Sequence, residues 1–234
     1  MSPALYLIPS GLGGTDMPAI LPEETLHIIR SLTFFIVEDE KSARAFLKGC
    51  RITASQADLR ISVLDKHDDR QDITPFLAPI KDGQSIGLLS EAGCPAVADP
   101  GARVVSSAHR AGIEVVPLIG PSSLLLALMA SGLEGQRFCF HGYLPIDKSE
   151  RIKKIARLEE STIARKETQI FIEAPYRNNA LLADLLQQLH GDMRLCIAAD
   201  LTMPTQFIRT LKVREWKKLV PELHKRPAVF LIGT

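Results

Sequence analysis

Short apolar runs of strand length alternate with amphipathic helical segments along almost the whole chain, and this alternation constrains the fold more than any single residue. In the first half, the apolar runs predict strands at 5–9, 34–37, 61–64, 86–89 and 113–118. Helices are predicted between them at 23–32, at 41–50, from Asp72 toward Ile80, and at 102–111. Leu26, Ile29 and Leu32 line one helical face, and Ala43, Phe46, Leu47 and Cys50 line another. Asp72 suits an N-cap and Gly112 a left-handed C-terminal cap. Strands separated by helices return by crossovers, so they are expected to lie parallel in one sheet.

The second half changes accent. Ser122 or Ser123 caps a helix that runs through Ala130 and is stopped by Gly132. Further helices are predicted at 149–163 and 178–190, and strands at 137–143, 169–174, 195–199, 206–213 and 228–232. Only a short helix, 215–220, separates the last two strands, which predicts a mixed sheet. Gly120-Pro121 is the natural hinge, dividing the chain into domains 1–119 and 120–234. The expected fold class is therefore α/β, with a first sheet mostly parallel and a second sheet mixed.

With 234 residues, 46% of them apolar, the chain is long enough to bury a substantial core. Its net charge of +1 hides an asymmetry: residues 148–166 carry +4, residues 209–226 carry +5, and the rest sum to −8. The basic stretches suit a polyanionic partner, or equally solvated helix faces. Cys50, Cys94, Cys139 and Cys196 are widely spaced and the six His residues show no ligand spacing, so no metal site and reduced, cytoplasmic thiols are expected. The first residues lack the pattern of a signal peptide, and the most apolar segment, 118–133, is broken by Gly-Pro-Ser-Ser, so no membrane partner is expected.

Four loops follow predicted strands: 9–14, 90–101, 119–123 and 173–179. In open α/β sheets ligands bind beyond the carboxyl ends of strands, so these loops are expected to converge. The loop 90–101 combines small residues, two prolines and two acids, which lets a ligand approach the backbone. No Lys follows its glycines, so it is not a P-loop. Ser122 and Ser123 start an apolar helix whose free N–H groups suit a carboxylate, or are simply an N-cap. Glu38 and Asp39 end a strand with Arg44 a turn beyond, suiting a base or an orienting group, or a capping acid paired with Arg44. Residues 173–179 offer an acid, Tyr176, Arg177 and two amides, a mix fitted to a polar, flat or phosphate-bearing substrate. His67 and His141 read as loop or core histidines, and Trp216 as the anchor of an amphipathic helix rather than a stacking platform.

Taken together, several segments resemble the tetrapyrrole-methylase-like superfamily of S-adenosylmethionine-dependent methyltransferases. They are Val37-Glu38-Asp39 with Arg44, Ser90-Glu91-Ala92-Gly93-Cys94-Pro95 through Asp99-Pro100-Gly101, Pro117 through Gly120-Pro121-Ser122, Ala130-Ser131-Gly132-Leu133, Phe140-His141-Gly142-Tyr143-Leu144-Pro145, and Phe171 through Arg177. Within the superfamily the chain is most similar to the ribosomal RNA small subunit methyltransferase I branch, which methylates a ribose 2′-hydroxyl of 16S rRNA. The resemblance implies two α/β/α domains, S-adenosylmethionine in a cleft between them, and a homodimer. By position it implies cofactor contacts at Gly11, Leu12, Glu91, Ala92, Gly93, Cys94, Pro121, Ser122, Ser123, Ile172, Ala174, Ala198 and Ala199. The implied partner is ribosomal RNA or the small ribosomal subunit.

Methyl transfer from a sulfonium gains most from alignment and exclusion of water, while a ribose hydroxyl benefits from a base. Glu38, Asp39 and Glu173 are the candidates for that base, with Arg44 and Arg177 as phosphate or orientation partners. Two other readings stand beside this one: a methyltransferase for a tetrapyrrole or corrin-like small molecule, and a cofactor-binding protein without rRNA methylation. The chain departs from the branch pattern at Glu91, where Asp is usual, and at Met203, where the lysine of a Glu-Leu-Thr-Lys motif is usual. It departs again at 8–13, where Thr-Pro-x-Gly-Asn-Leu is usual.

Overall fold

The alternation is realised as two units, Met1–Ser122 and Ser123–Thr234, in a computed structural model that describes every residue except Met1, Gly14, Thr15, Lys66, His67 and Asp69. The reading of His67 and the last residue of the loop 9–14 thus lie outside the described residues.

The first unit is built on β1 (Ala4–Ile8), β2 (Phe34–Val37), β3 (Arg60–Val63), β4 (Ile86–Leu89) and β5 (Glu114–Pro117), in the order β3-β2-β4-β1-β5. Every pairing is parallel. The helices α1 (Glu23–Ser31), α2 (Glu40–Gly49) and α3 (Ala102–Arg110) make three of the four crossovers. Successive strand residues point to opposite faces, and both faces are covered. Ile8, Phe35 and Val37 pack with Leu26 and Ile29 of α1 and Leu47 of α2. Leu5, Ile36, Ile86 and Leu88 pack with Val104 and Ala108 of α3. Gly87 in β4 makes room for the first cluster: a Cβ there would lie 2.6 Å from Ile8 Cδ1 and 2.9 Å from Phe35 Cδ1.

One helix differs from expectation. The segment after Asp72 forms a 3₁₀ helix, Thr74–Asp82, and no α-helix. Pro79, inside the segment, lacks the N–H that an α-helical ladder needs there, whereas Pro75 stands in the first turn where proline is tolerated, so the tighter form wins. Asp72 does accept the Thr74 backbone N–H at 2.9 Å.

The second unit holds β6 (Phe138–Tyr143), β7 (Thr168–Ile172), β8 (Arg194–Ala199), β9 (Phe207–Lys212) and β10 (Ala228–Gly233), in the order β6-β7-β10-β8-β9. Only β6 and β7 pair in parallel, joined by the long α5 (Lys148–Arg165); the other pairings are antiparallel, so the sheet is mixed. The last strand, β10, enters the middle of the sheet and is buried along its whole length. The first basic stretch is α5, which turns Ile155, Leu158 and Thr162 inward and leaves Lys148, Lys153, Arg157 and Arg165 exposed, while Arg151 is drawn in to pair with the buried Asp184 at 2.7 Å. The core joins Leu158, Phe171, Ile197 and Phe230 with Leu182 and Leu185 of α6 (Asn178–Gln188).

Trp216 ends the one-turn α7 (Val213–Trp216), shorter than the helix expected at 215–220. Its ring is fully buried and its indole N–H donates to the Leu195 carbonyl at 2.8 Å. It anchors this single turn against the sheet, and the stacking alternative falls because no face is open to a ligand. The remaining helix, α4 (Ser123–Ser131), buries Ala127, Leu128 and Ser131 and leaves Leu125 and Met129 exposed.

Candidate active site

In the first unit, three of the predicted loops are tied together at the carboxyl ends of β1, β4 and β5. β1 and β4 are parallel neighbours with Ile8 opposite Leu89, so their loops leave the sheet side by side. Ser10 and Gly93 then exchange backbone hydrogen bonds in both directions, at 2.8 and 3.1 Å. The Ser10 hydroxyl donates to the Ser90 carbonyl at 2.8 Å, and the Ser90 hydroxyl to the Gly93 carbonyl at 3.0 Å. Both serines are buried, so these bonds satisfy carbonyls that water cannot reach. Gly93 has φ +73°, a left-handed conformation that favours glycine. The loop after β5 joins them: the Cys94 thiol reaches the Pro121 carbonyl at 3.6 Å, and Thr25 of α1 holds the Ile119 carbonyl at 2.9 Å. Burial pushes the Cys94 thiol up, against a hydrogen bond with Ser122, so it remains a neutral donor.

The loops after β1 and β4, with the end of β2 and the start of α2, border a cavity of about 480 Å³, a volume within the usual range for small-ligand sites. Gly11, Leu12, Glu38, Asp39, Glu91 and Ala92 line it, and Gly93 sits against Leu12 just behind the wall. Six of the sequence-selected residues are thereby gathered on one surface.

The two acids at the end of β2 divide their work. Asp39 is the N-cap of α2 and accepts the Ser42 backbone N–H at 2.7 Å. Arg44 pairs with Glu40, one turn back at 2.8 Å, and donates to the Gln56 carbonyl at 2.7 Å; it does not line the cavity. Glu38 is half-buried and accepts the Glu91 backbone N–H at 3.3 Å. Its carboxyl is pushed up to about 7, first by burial and then by its hydrogen bond to Asp99 and the charges of Asp99 and Glu91. The Glu91 amide acts in the opposite direction. Asp99 itself caps its own turn, Oδ1 accepting from Ala96 at 3.1 Å and Gly101 at 2.6 Å. The buried Asp99 Oδ2 has no amide or hydroxyl donor, and the protonated form of Glu38 can fill that role. A carboxyl that changes charge near neutral pH suits proton transfer. Asp99 was not singled out from the sequence; its only signal was the Asp-Pro-Gly that closes the loop.

In the second unit, Glu173 follows β7 directly and its side chain is only 1% exposed. Its Oε1 accepts from Arg177 Nη2 at 2.6 Å, Arg177 Nε at 2.9 Å and the Ala174 backbone N–H at 2.7 Å. The carboxylate holds the Arg177 guanidinium above its ordinary range. Ile172 and Ala198 lie in one row across β7, β10 and β8, each opposite Val229. Ala198 and Ala199 are buried, so what they offer a ligand is main chain. His141 sits 2.6 Å from Gln169 Oε1, which as an amide oxygen only accepts; Nε2 therefore carries the proton. Burial holds this imidazole below its ordinary range. Among the described residues no cluster of His, Cys, Asp and Glu has the arrangement of a metal site.

Comparison with known proteins follows the same lines. The family described as Tetrapyrrole (Corrin/Porphyrin) Methylases matches residues 4–217 of the chain. The chain is 31% identical over 214 residues to the Ribosomal RNA small subunit methyltransferase I of Vibrio cholerae serotype O1, covering 92% of this chain and 70% of that protein. It is 31% identical over 222 residues to the protein of that name from Escherichia coli O157:H7, covering 95% and 73%. The protein of that name from Mesorhizobium japonicum is 32% identical over 214 residues, covering 92% and 69%. Among solved structures, that of the methyltransferase CobJ superposes with a TM-score of 0.65 at 19% identity, over 100% of this chain and 95% of that one, a likeness of fold.

Proposed function

The chain belongs to the tetrapyrrole (corrin/porphyrin) methylase family and is a methyltransferase; on that footing we propose that it moves a methyl group from S-adenosylmethionine to a ribose 2′-hydroxyl of small-subunit ribosomal RNA. The observation that carries this reading is the identity of 31% over 95% of the chain with a protein named for that substrate.

The loops of the first unit fit the cofactor chemically. Gly11 and Ala92 present little side chain to the cavity and suit the approach of an adenosine and an amino-acid moiety, Leu12 gives an apolar wall with Gly93 turning the chain behind it, and Glu91 offers a carboxylate for hydroxyl or ammonium groups. Cys94, Pro121, Ser122, Ser123, Ile172, Ala174, Ala198 and Ala199 complete the proposed contact set. When bound, S-adenosylmethionine supplies a methyl on a sulfonium, with a neutral thioether as leaving group. Glu38, which gains and loses its proton near neutral pH, is proposed to accept the hydroxyl proton, with Asp99 holding its carboxyl in place. Glu173, clamped through Oε1, is proposed to orient the acceptor through Oε2.

The reading includes a homodimer acting in the cytoplasm. Met129 of α4, an apolar side chain 80% exposed, supports the first, and four free cysteines support the second. Among the described residues no helix is long and apolar enough to cross a membrane.

The test is incubation with methyl-labelled cofactor and small ribosomal subunits from a host lacking the related enzyme, followed by mass mapping. Label on a ribose of the RNA is expected. Label in a porphyrinogen or corrin pool with none in RNA would overturn the assignment.

A further inference from the structure

At the carboxyl end of the β6–β7 pair, an irregularity brings two tyrosines to the same edge. β6 and β7 run in register from Phe138 opposite Thr168 to Phe140 opposite Ile170. Regular pairing would then set Gly142 opposite Ile172; instead Tyr143 stands there, so β6 carries one extra residue. Gly142 absorbs the irregularity at φ +63°. A bulge shifts side-chain alternation, and here it re-aims Tyr143 at the strand end. Tyr143 is 57% exposed. Opposite it, Ile172 leads directly into the turn that carries Tyr176, which is 62% exposed.

Arg177 lies beside the Tyr176 ring. Its guanidinium stands 5.2 Å from the centroid of the Tyr176 ring, and Tyr143 also contributes to its electrostatic environment. The turn is joined to the end of the second basic stretch, since Lys225 N–H donates to the Pro175 carbonyl at 3.0 Å and the Asn178 side chain to the Arg226 carbonyl at 2.6 Å. His224 and Lys225 are exposed there. Arg226 is spent on Asp200 and on the carbonyls of Glu222 and Thr205. Of the neighbouring acids, Glu173 is neutralised by Arg177, and Glu222 is engaged by Asn179 and the His224 amide.

We propose that Tyr143 and Tyr176 form a stacking platform for unpaired bases of the RNA substrate, with Lys225 on the adjoining phosphate. The inference rests on the RNA reading above and adds the form of RNA recognised: a single-stranded segment whose bases are splayed out, not a duplex. Exposed aromatic rings beside fixed cations are the usual means of holding single strands, because every base has a π-face and every nucleotide a phosphate.

The experiment measures binding of a labelled single-stranded oligoribonucleotide, and of its duplex, to the full chain, alongside methylation of small ribosomal subunits. The wild type is expected to prefer the single strand. Tyr143→Leu and Tyr176→Leu are each expected to weaken that binding by roughly 5- to 150-fold, the range for one lost stack, and to raise KM for the subunit. Tyr→Phe at either position keeps the ring and is expected to stay close to wild type. Lys225→Ala is expected to reduce the slope of log affinity against log salt by about one. Leucine variants that bind and methylate like the wild type would overturn the platform while leaving the RNA reading intact. A wild-type chain that neither binds nor methylates RNA would overturn both.

Discussion

Replacing Arg177 with alanine would remove two of the three donors that hold the Glu173 carboxylate, leaving only the Ala174 amide. The Glu173 side chain is 1% exposed, so water can replace the lost donors only by entering where the guanidinium stood. Removing one partner of a fully buried ion pair costs about 3–5 kcal/mol. Arg177 is 26% exposed, which opens a path for water and lowers the expected cost to about 2–3 kcal/mol, below the full desolvation penalty. The assay is urea unfolding of wild type, Arg177→Ala, Glu173→Gln and the double variant. Because the residues share bonds, the double variant should fall short of the sum by about 2 kcal/mol. In the same set, Glu173→Gln should lower turnover far more than cofactor affinity. A coupling under about 0.5 kcal/mol, the ordinary additivity error, would refute the clamp, and unchanged turnover would refute the role given to Glu173.

Glu38 should leave a signature in stability against pH. Its carboxyl rises from 4.5 to about 7 on folding, so the stability it contributes is complete below 4.5 and disappears as pH climbs through about 7. Glu38→Gln should flatten that slope in denaturant titrations; an unchanged slope would remove the Asp99 hydrogen bond from the account. Gly87→Ala should destabilise the first unit by about 1–3 kcal/mol, because its Cβ would meet Ile8 at 2.6 Å. Retained stability in thermal melts would show that Ile8 and Phe35 repack freely. Trp216→Leu should cost about 3–5 kcal/mol through the cavity and the lost bond to the Leu195 carbonyl, read as a lower urea midpoint.

How much of this was legible beforehand follows from which interactions are local. β2 and β4 were expected at 34–37 and 86–89 and stand at Phe34–Val37 and Ile86–Leu89. Leu26 and Ile29 are buried as their helical spacing implied, while Leu32 is buried from the extended residue that follows α1. The mixed character of the second sheet was expected from the short connection between the last two strands; in the structure those strands, β9 and β10, do not pair, and the antiparallel pairings are β10 with β7 and β8, and β8 with β9. At Thr74–Asp82 the helix that the capping signal of Asp72 implies is 3₁₀, because Pro79 removes an interior donor that the α-helical ladder requires.

The amino-acid pattern by itself determined which segments become strands and helices and which side chains leave water, because periodicities of two and about 3.6 are properties of the backbone. It also marked the loops rich in small and charged residues. Only the tertiary structure decided that Ser10 would pair with Gly93, that Asp99 would stand within hydrogen-bond reach of Glu38, that Arg44 would turn to Glu40, and that Lys225 would bind beside Tyr176. It likewise decided that the last strand would enter the middle of its sheet. Three of these contacts join residues from about 50 to more than 80 positions apart, and the strand's placement is equally non-local. Arg44, with nearby acids at Glu38, Asp39 and Glu40, had more than one partner within reach. Such choices follow from strand order and loop packing, when every donor, acceptor and ring competes for the few neighbours that the assembled sheet places within reach.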